Sequence, residues 1–117
     1  EFRRVLFRSS GFACMVLRAF GVIGKEDLSA QGIYDKLFQL SSQTTDCGSV
    51  LFFGKDDENI HHVAIAISPR LMVEAGGGDD KVITVQDAVK RNAFVRVTPI
   101  STRKDLVAAL MPYYSTF

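Results

Sequence analysis

The sequence predicts an α+β domain in which N-terminal helices pack on an antiparallel β-sheet. Three features lead there. Apolar residues recur at helical spacing through the first third of the chain, the pattern switches to short alternating runs after a polar stretch at 41–48, and turn-forming clusters separate those runs. Helices first and hairpin-linked strands afterwards describe segregated layers, unlike the alternation of a βαβ fold.

Residues 10–20 read as a helix, because Phe12, Val16 and Phe20 repeat at i+4 with Ala13 and Leu17 beside them; Gly21 is a natural stop. A second helix is expected over 30–40, with Ser29 as N-cap and Ala30, Ile33, Tyr34, Leu37 and Phe38 on one stripe. The polar segment 41–48 (SSQTTDCG) reads as a loop. Strands are expected over 50–53, 62–67 and 71–75, the last two joined as a hairpin with its loop at 67–69. A turn at 76–80, a strand at 82–85, a short helix over 86–91, a strand at 94–97 and a last helix over 104–110 complete the pattern. The inward-facing residues should include Phe12, Val16, Phe20, Ile33, Leu37, Phe52, Val63 and Ile65.

At 117 residues the chain is one domain with room for one core, and its 47% hydrophobic and 23% charged residues are those of an ordinary globular protein. A net charge of +1 points to neither a nucleic acid nor a membrane surface. Arg3, Arg4 and Arg8 account for three of the 14 basic residues and Glu1 for one of the 13 acidic ones, so the rest carries 11 against 12, a net of −1. Two cysteines, Cys14 and Cys47, do not make a disulfide framework, although one bridge between them is compatible with the sequence. No apolar run approaches the roughly 20 residues of a membrane span.

The first nine residues, EFRRVLFRS, resemble the peptide obtained when a sequencing adapter is translated in frame. On that reading 1–9 is a non-native leader and the domain, N-terminally incomplete, runs over 10–117. The alternative is a short amphipathic strand carrying Phe2, Val5 and Phe7.

The segment 61–67, HHVAIAI, holds the first chemically informative residues. Alternation puts Val63, Ile65 and Ile67 on one strand face and His62, Ala64 and Ala66 on the other, where the alanines leave room for a helix. Glu74 lies twelve residues beyond His62. With the loop at 67–69, paired positions sum to about 136, which makes His62 and Glu74 direct cross-strand neighbours. A carboxylate beside an imidazole fixes its tautomer and orients it as a general base. Taken alone, the pair reads first as a surface ion pair at a sheet end.

The order of motifs adds to this. Ser10-Gly11-Phe12 opens a helix, Gly48-Ser49-Val50-Leu51-Phe52-Phe53 leads into a strand, His62-Val63-Ala64-Ile65-Ala66-Ile67 follows, and Glu74-Ala75 comes twelve residues after the histidine. The series resembles the NlpC/P60 cysteine peptidases, whose motifs run approximately D-C-S-G-F, G-D-L-V-F-F and H-V-G-I-Y-I-G, with a third polar residue before an alanine. The likeness covers about 10–75, with Ser49 in place of Asp and alanines in place of Gly and Tyr. It implies a papain-like fold and a thiol hydrolase that cuts peptidoglycan stem peptides outside the cell, at the wall or on a virion. It implies no cofactor, no metal, no nucleic acid and no membrane insertion. By the same likeness His62 is the base, Glu74 the orienting group, Ser9 stands at the nucleophile's position and Arg8 at that of the preceding Asp.

A thiol at a helix N-terminus is drawn towards thiolate by unsatisfied N–H groups and the dipole, and a neighbouring imidazole completes the ion pair. A serine hydroxyl is far less acidic, so Ser9 leaves the chain inactive as written; if 1–9 is a leader, Ser9 overwrote a natural cysteine. Other readings stay open: a Ser–His–Glu hydrolase, a catalytically dead domain that binds wall peptides or serves as a phage-tail scaffold, and an amidase or acyltransferase on the same scaffold. Cys47, in Asp46-Cys47-Gly48-Ser49, precedes a strand and lies fifteen residues before His62, so it reads as a small half-buried residue. Cys14 points elsewhere on the helix than Ser9 and reads as packing. His61, His62, Asp56, Asp57 and Glu58 lack metal-ligand spacing, because adjacent strand residues face opposite sides.

Overall fold

Among the residues that the structure, a computed structural model, describes (9–75 and 95–114), two α-helices precede a six-stranded antiparallel sheet. The helices are α1 (Ser9–Ala19) and α2 (Ala30–Leu37), and a 3-10 turn (Phe38–Leu40) extends the second. The strands are β1 (Ser42–Gln43), β2 (Val50–Gly54), β3 (Ile60–Ala66), β4 (Leu71–Ala75), β5 (Val95–Pro99) and β6 (Leu106–Met111), in the spatial order β1-β6-β2-β3-β4-β5. The α+β class expected from the sequence is therefore present. The turn, strand and helix expected over 76–91, with Phe94, lie outside the described residues, as do 1–8.

Local chemistry accounts for both helix ends. Gly21 adopts φ +73°, its N–H donates to Arg18 O at 3.1 Å, and that of Val22 donates to Leu17 O at 2.8 Å. This is a Schellman termination, which needs a residue free to enter the left-handed region. Ser29 caps α2 as expected, its Oγ accepting from Gly32 N at 3.0 Å. Between the helices, Arg18 donates to the carbonyls of Gly24 and Glu26, and Cys14 Sγ donates to Leu28 O at 3.4 Å. Cys14 is buried packing, Cys47 is exposed and not half-buried, and both thiols are free.

The core has two parts, one on each side of the sheet. On one side Phe12, Ala13, Leu17, Ile33, Tyr34 and Leu37 of the helices meet Val50, Phe52, Val63, Ile65 and Ala75. On the other, Leu51, Phe53, Ala64, Ala66 and Met72 pack together with Ile100 and Ala109. The helices thus lie on the branched face of β3, and not on the alanine face that the sequence reading assigned them. Branched residues offer the helices more apolar surface, while Phe53 and Met72 fill the space above the alanines. Of the expected inward residues, Val16 is half-buried and Phe20 is 47% exposed, its ring edge-on to Tyr114 at 5.6 Å.

Two elements differ from expectation. The segment expected as a last helix over 104–110 is β6, hydrogen-bonded between β1 and β2 with Leu110 opposite Val50. Its Leu-Val-Ala-Ala-Leu run satisfies both periods, and the free edge of β2 decides between them. The loop expected at 41–48 contains β1, whose Ser42 pairs with Met111. No helix among the described residues is long and apolar enough to cross a membrane. Phe52→Ala should cost about 3–5 kcal/mol of unfolding free energy, and Phe20→Ala about 1 kcal/mol or less, read from urea unfolding midpoints.

Candidate active site

Two backbone devices set the position of His62. The β2–β3 pairing runs in register from Val50↔Ile65 to Phe53↔His62 and then shifts to Gly54↔Ile60, so His61 is the extra residue of a bulge. Gly54 makes this approach feasible, since a Cβ there would lie 2.1 Å from Asn59 O. His61 is turned outward, with Nε2 3.4 Å from Asp105 Oδ2, while His62 enters the sheet face shared with Phe53.

Glu74 arrives by the β3–β4 hairpin, in a register that differs from the one expected. Ile65 pairs with Val73, Ala66 with Met72, and Ile67 N donates to Leu71 O, so the turn is 68–70. Ser68 Oγ sets it there by accepting from Arg70 N and Leu71 N at 3.2 and 3.0 Å. Continued along the ladder, this register puts Glu74 opposite Ala64 and diagonal to His62, not directly across from it. The displacement is two residues, so the face is kept. His62 Nε2 and Glu74 Oε1 meet at 2.6 Å, with the residues 8% and 2% exposed.

The second carboxylate oxygen is held from β5. Thr98 Oγ1 donates to Glu74 Oε2 at 2.6 Å, and Arg96 Nε stands 3.9 Å from the same oxygen. Neither residue could be found from the sequence, because the pairing of β4 with β5 joins positions more than twenty residues apart. Phe53 lies 5.5 Å from the imidazole, ring centre to ring centre, and the Arg103 guanidinium carbon lies over the Phe53 ring, 5.0 Å from its centroid.

Burial pushes the Glu74 carboxyl up, but the Thr98 hydroxyl, His62 and Arg96 together outweigh it and hold the group below its ordinary 4.5. Burial first, and then the Arg103 charge, draw His62 below its ordinary 6.5, against the opposing pull of Glu74. A neutral imidazole beside an ionised carboxylate has one arrangement: Nε2–H donates to Glu74, and the lone pair is on Nδ1.

Ser9 is the first residue of α1 and is half-buried. No hydrogen bond joins it to His62 among the described residues, and the buried stripe of α1 contacts the Val63 and Ile65 side of β3. Arg8 lies outside the described residues. Cys47 is no substitute: Gly48 N donates to Ala66 O, which puts the Cys47 turn at the other end of β3 from His62, about 13 Å away at strand rise. Ser49 is fully buried, donating to Thr44 O at 2.6 Å and accepting from Asp46 N at 3.0 Å. Comparison with protein-family models, curated proteins and solved structures finds no match for this chain.

Both depressed groups make the unfolded chain the better proton acceptor in acid. Their stabilisation is fully present above about pH 6.5 and is lost downward, that of His62 first and that of Glu74 below 4.5. The urea midpoint should therefore fall between about pH 7.5 and 5.5, and His62→Gln should flatten this slope; an equal slope in the variant would refute the assignment.

Proposed function

We propose that the chain is an NlpC/P60-type, papain-like domain whose intact form hydrolyses an amide bond in peptidoglycan stem peptides by thiol catalysis. The observation that carries the reading is the buried His62–Glu74–Thr98 chain, with the imidazole lone pair left on Nδ1. The order and spacing of the four sequence motifs support it from a separate direction.

In this mechanism Nδ1 of His62 takes the proton of a thiol at position 9, and the thiolate attacks the peptide carbonyl carbon. N–H groups at the start of α1 hold the oxyanion. The imidazolium, steadied by Glu74, then protonates the leaving amine, and water attacking the acyl-enzyme returns the thiol. Glu74 needs no proton of its own at any step, which suits a carboxylate held below its ordinary range. The family's usual bond joins D-glutamate to a diamino acid, and the reading implies action outside the cell. With Ser9 in place, the hydroxyl is too weakly acidic for this step and the chain is inactive.

A second reading is a binding or scaffold domain without turnover. It is favoured by the packing of α1 on the sheet face opposite His62. The double variant Arg8→Asp, Ser9→Cys separates the two. Thiol catalysis expects cleavage of a stem tetrapeptide to appear in the double variant, to drop by at least about a hundredfold with His62→Ala added, and to be undetectable in the chain as written. Peptide affinity without turnover in the double variant would establish the second reading. Product analysis distinguishes an amidase.

A further inference from the structure

Glu74 has two neighbours on β5 that share its sheet face, and it is held by the less obvious one. Arg96 lies directly across the ladder from Glu74, while Thr98 lies opposite Met72, one diagonal step away. Charge favours the arginine, yet its Nε stays 3.9 Å from Oε2 and its side chain is 41% exposed. The Thr98 hydroxyl donates to the same oxygen at 2.6 Å. The last torsion of a glutamate is broad, so a single hydrogen bond from His62 leaves the carboxylate free to swing about it. A donor on each oxygen fixes its plane. Threonine suits the task because its branched Cβ restricts χ1, whereas a partly solvated arginine samples many rotamers. Burial pushes the Glu74 carboxyl up, and of the groups that pull it back below 4.5 the Thr98 hydroxyl comes first, ahead of His62 and Arg96.

We propose that Thr98 is a positioning residue: by holding Glu74 Oε2 it keeps Oε1 on His62 Nε2, and so keeps the imidazole lone pair on Nδ1. The contact stands on geometry; only the role of His62 as a base rests on the hydrolase reading. Without the hydroxyl, Oε2 is a buried charged acceptor with no donor, which is costly. The nearest relief is a swing of the carboxylate towards Arg96, and that swing withdraws Oε1 from the imidazole. Arg96 is thus a competitor for Glu74 that Thr98 keeps at a distance. The three side chains form an oblique line across β3, β4 and β5, in which the threonine acts on the histidine through the glutamate.

The test reads the His62 Nε2–H proton by NMR in the chain as written. A proton held between an imidazole and a carboxylate resonates far downfield and exchanges slowly. His61, the other of the two histidines, is 61% exposed and loses its ring N–H signal to water. The unaltered chain should show one such resonance, absent from His62→Gln. Thr98→Val and Thr98→Ala should both lose it. They should also lower the His62 titration midpoint by roughly half a unit or more, because Glu74 no longer opposes burial, Arg103 and His61. Thr98→Ser should keep the resonance and the midpoint, and Arg96→Gln should keep the resonance. A resonance missing from the unaltered chain, retained in both hydroxyl-free variants, or lost in Arg96→Gln overturns the proposal. A merely structural threonine lowers the urea midpoint and leaves the resonance in place. Thr98 is half-buried and valine favours a strand, so the fold tolerates the change. In the Arg8→Asp, Ser9→Cys variant, Thr98→Val should lower kcat about tenfold or more with little change in KM. No turnover there, with the resonance behaving as expected, removes the hydrolase reading and leaves Thr98 in its role; turnover and resonance both untouched by Thr98→Val do the reverse.

Discussion

The register of the β3–β4 hairpin governs the candidate site. Side chains on a strand alternate with a period of two, so a slip of one residue would send Glu74 to the helix side of the sheet and leave His62 unpaired. Ser68 opposes that slip by accepting two N–H groups within the turn. The resulting diagonal pairing is as effective as a direct one, because a glutamate and an imidazole are long enough to meet across the diagonal spacing of a sheet. Thr98 then engages the second oxygen, and a carboxylate that is almost wholly buried finds acceptors' work for both of its oxygens.

Such a pair adds little net stability, since desolvation offsets most of the attraction between its members. Its presence in an otherwise apolar sheet is better accounted for by chemistry than by folding. The surrounding residues point the same way. Glu74 is kept ionised and His62 neutral, which are the states a general base and its orienting group need before a reaction begins. Phe53 carries a double load, neighbouring the imidazole and supporting the Arg103 guanidinium over its ring.

The relation of α1 to this pair is less direct than the motif order implies. Ser9 is the first described residue of the helix, and the buried stripe of α1 rests on the face of β3 opposite His62. The fold therefore assembles the His62–Glu74 pair as a finished unit, independently of what occupies position 9.

Much of the framework could be read from the amino acids alone. The stop at Gly21, the cap at Ser29, the strand beginning at Leu71 and the shared face of His62 and Glu74 all follow from local geometry, which short-range sequence patterns encode. Tertiary structure decided the rest. Leu106 to Leu110 became a strand because β2 offered hydrogen-bond partners, the helices took the branched face of β3 because more apolar surface is buried there, and Thr98, Arg96 and Arg103 reached the site through pairings between distant segments. Periodicity describes which way a side chain turns within its own element; only packing chooses the neighbour it meets.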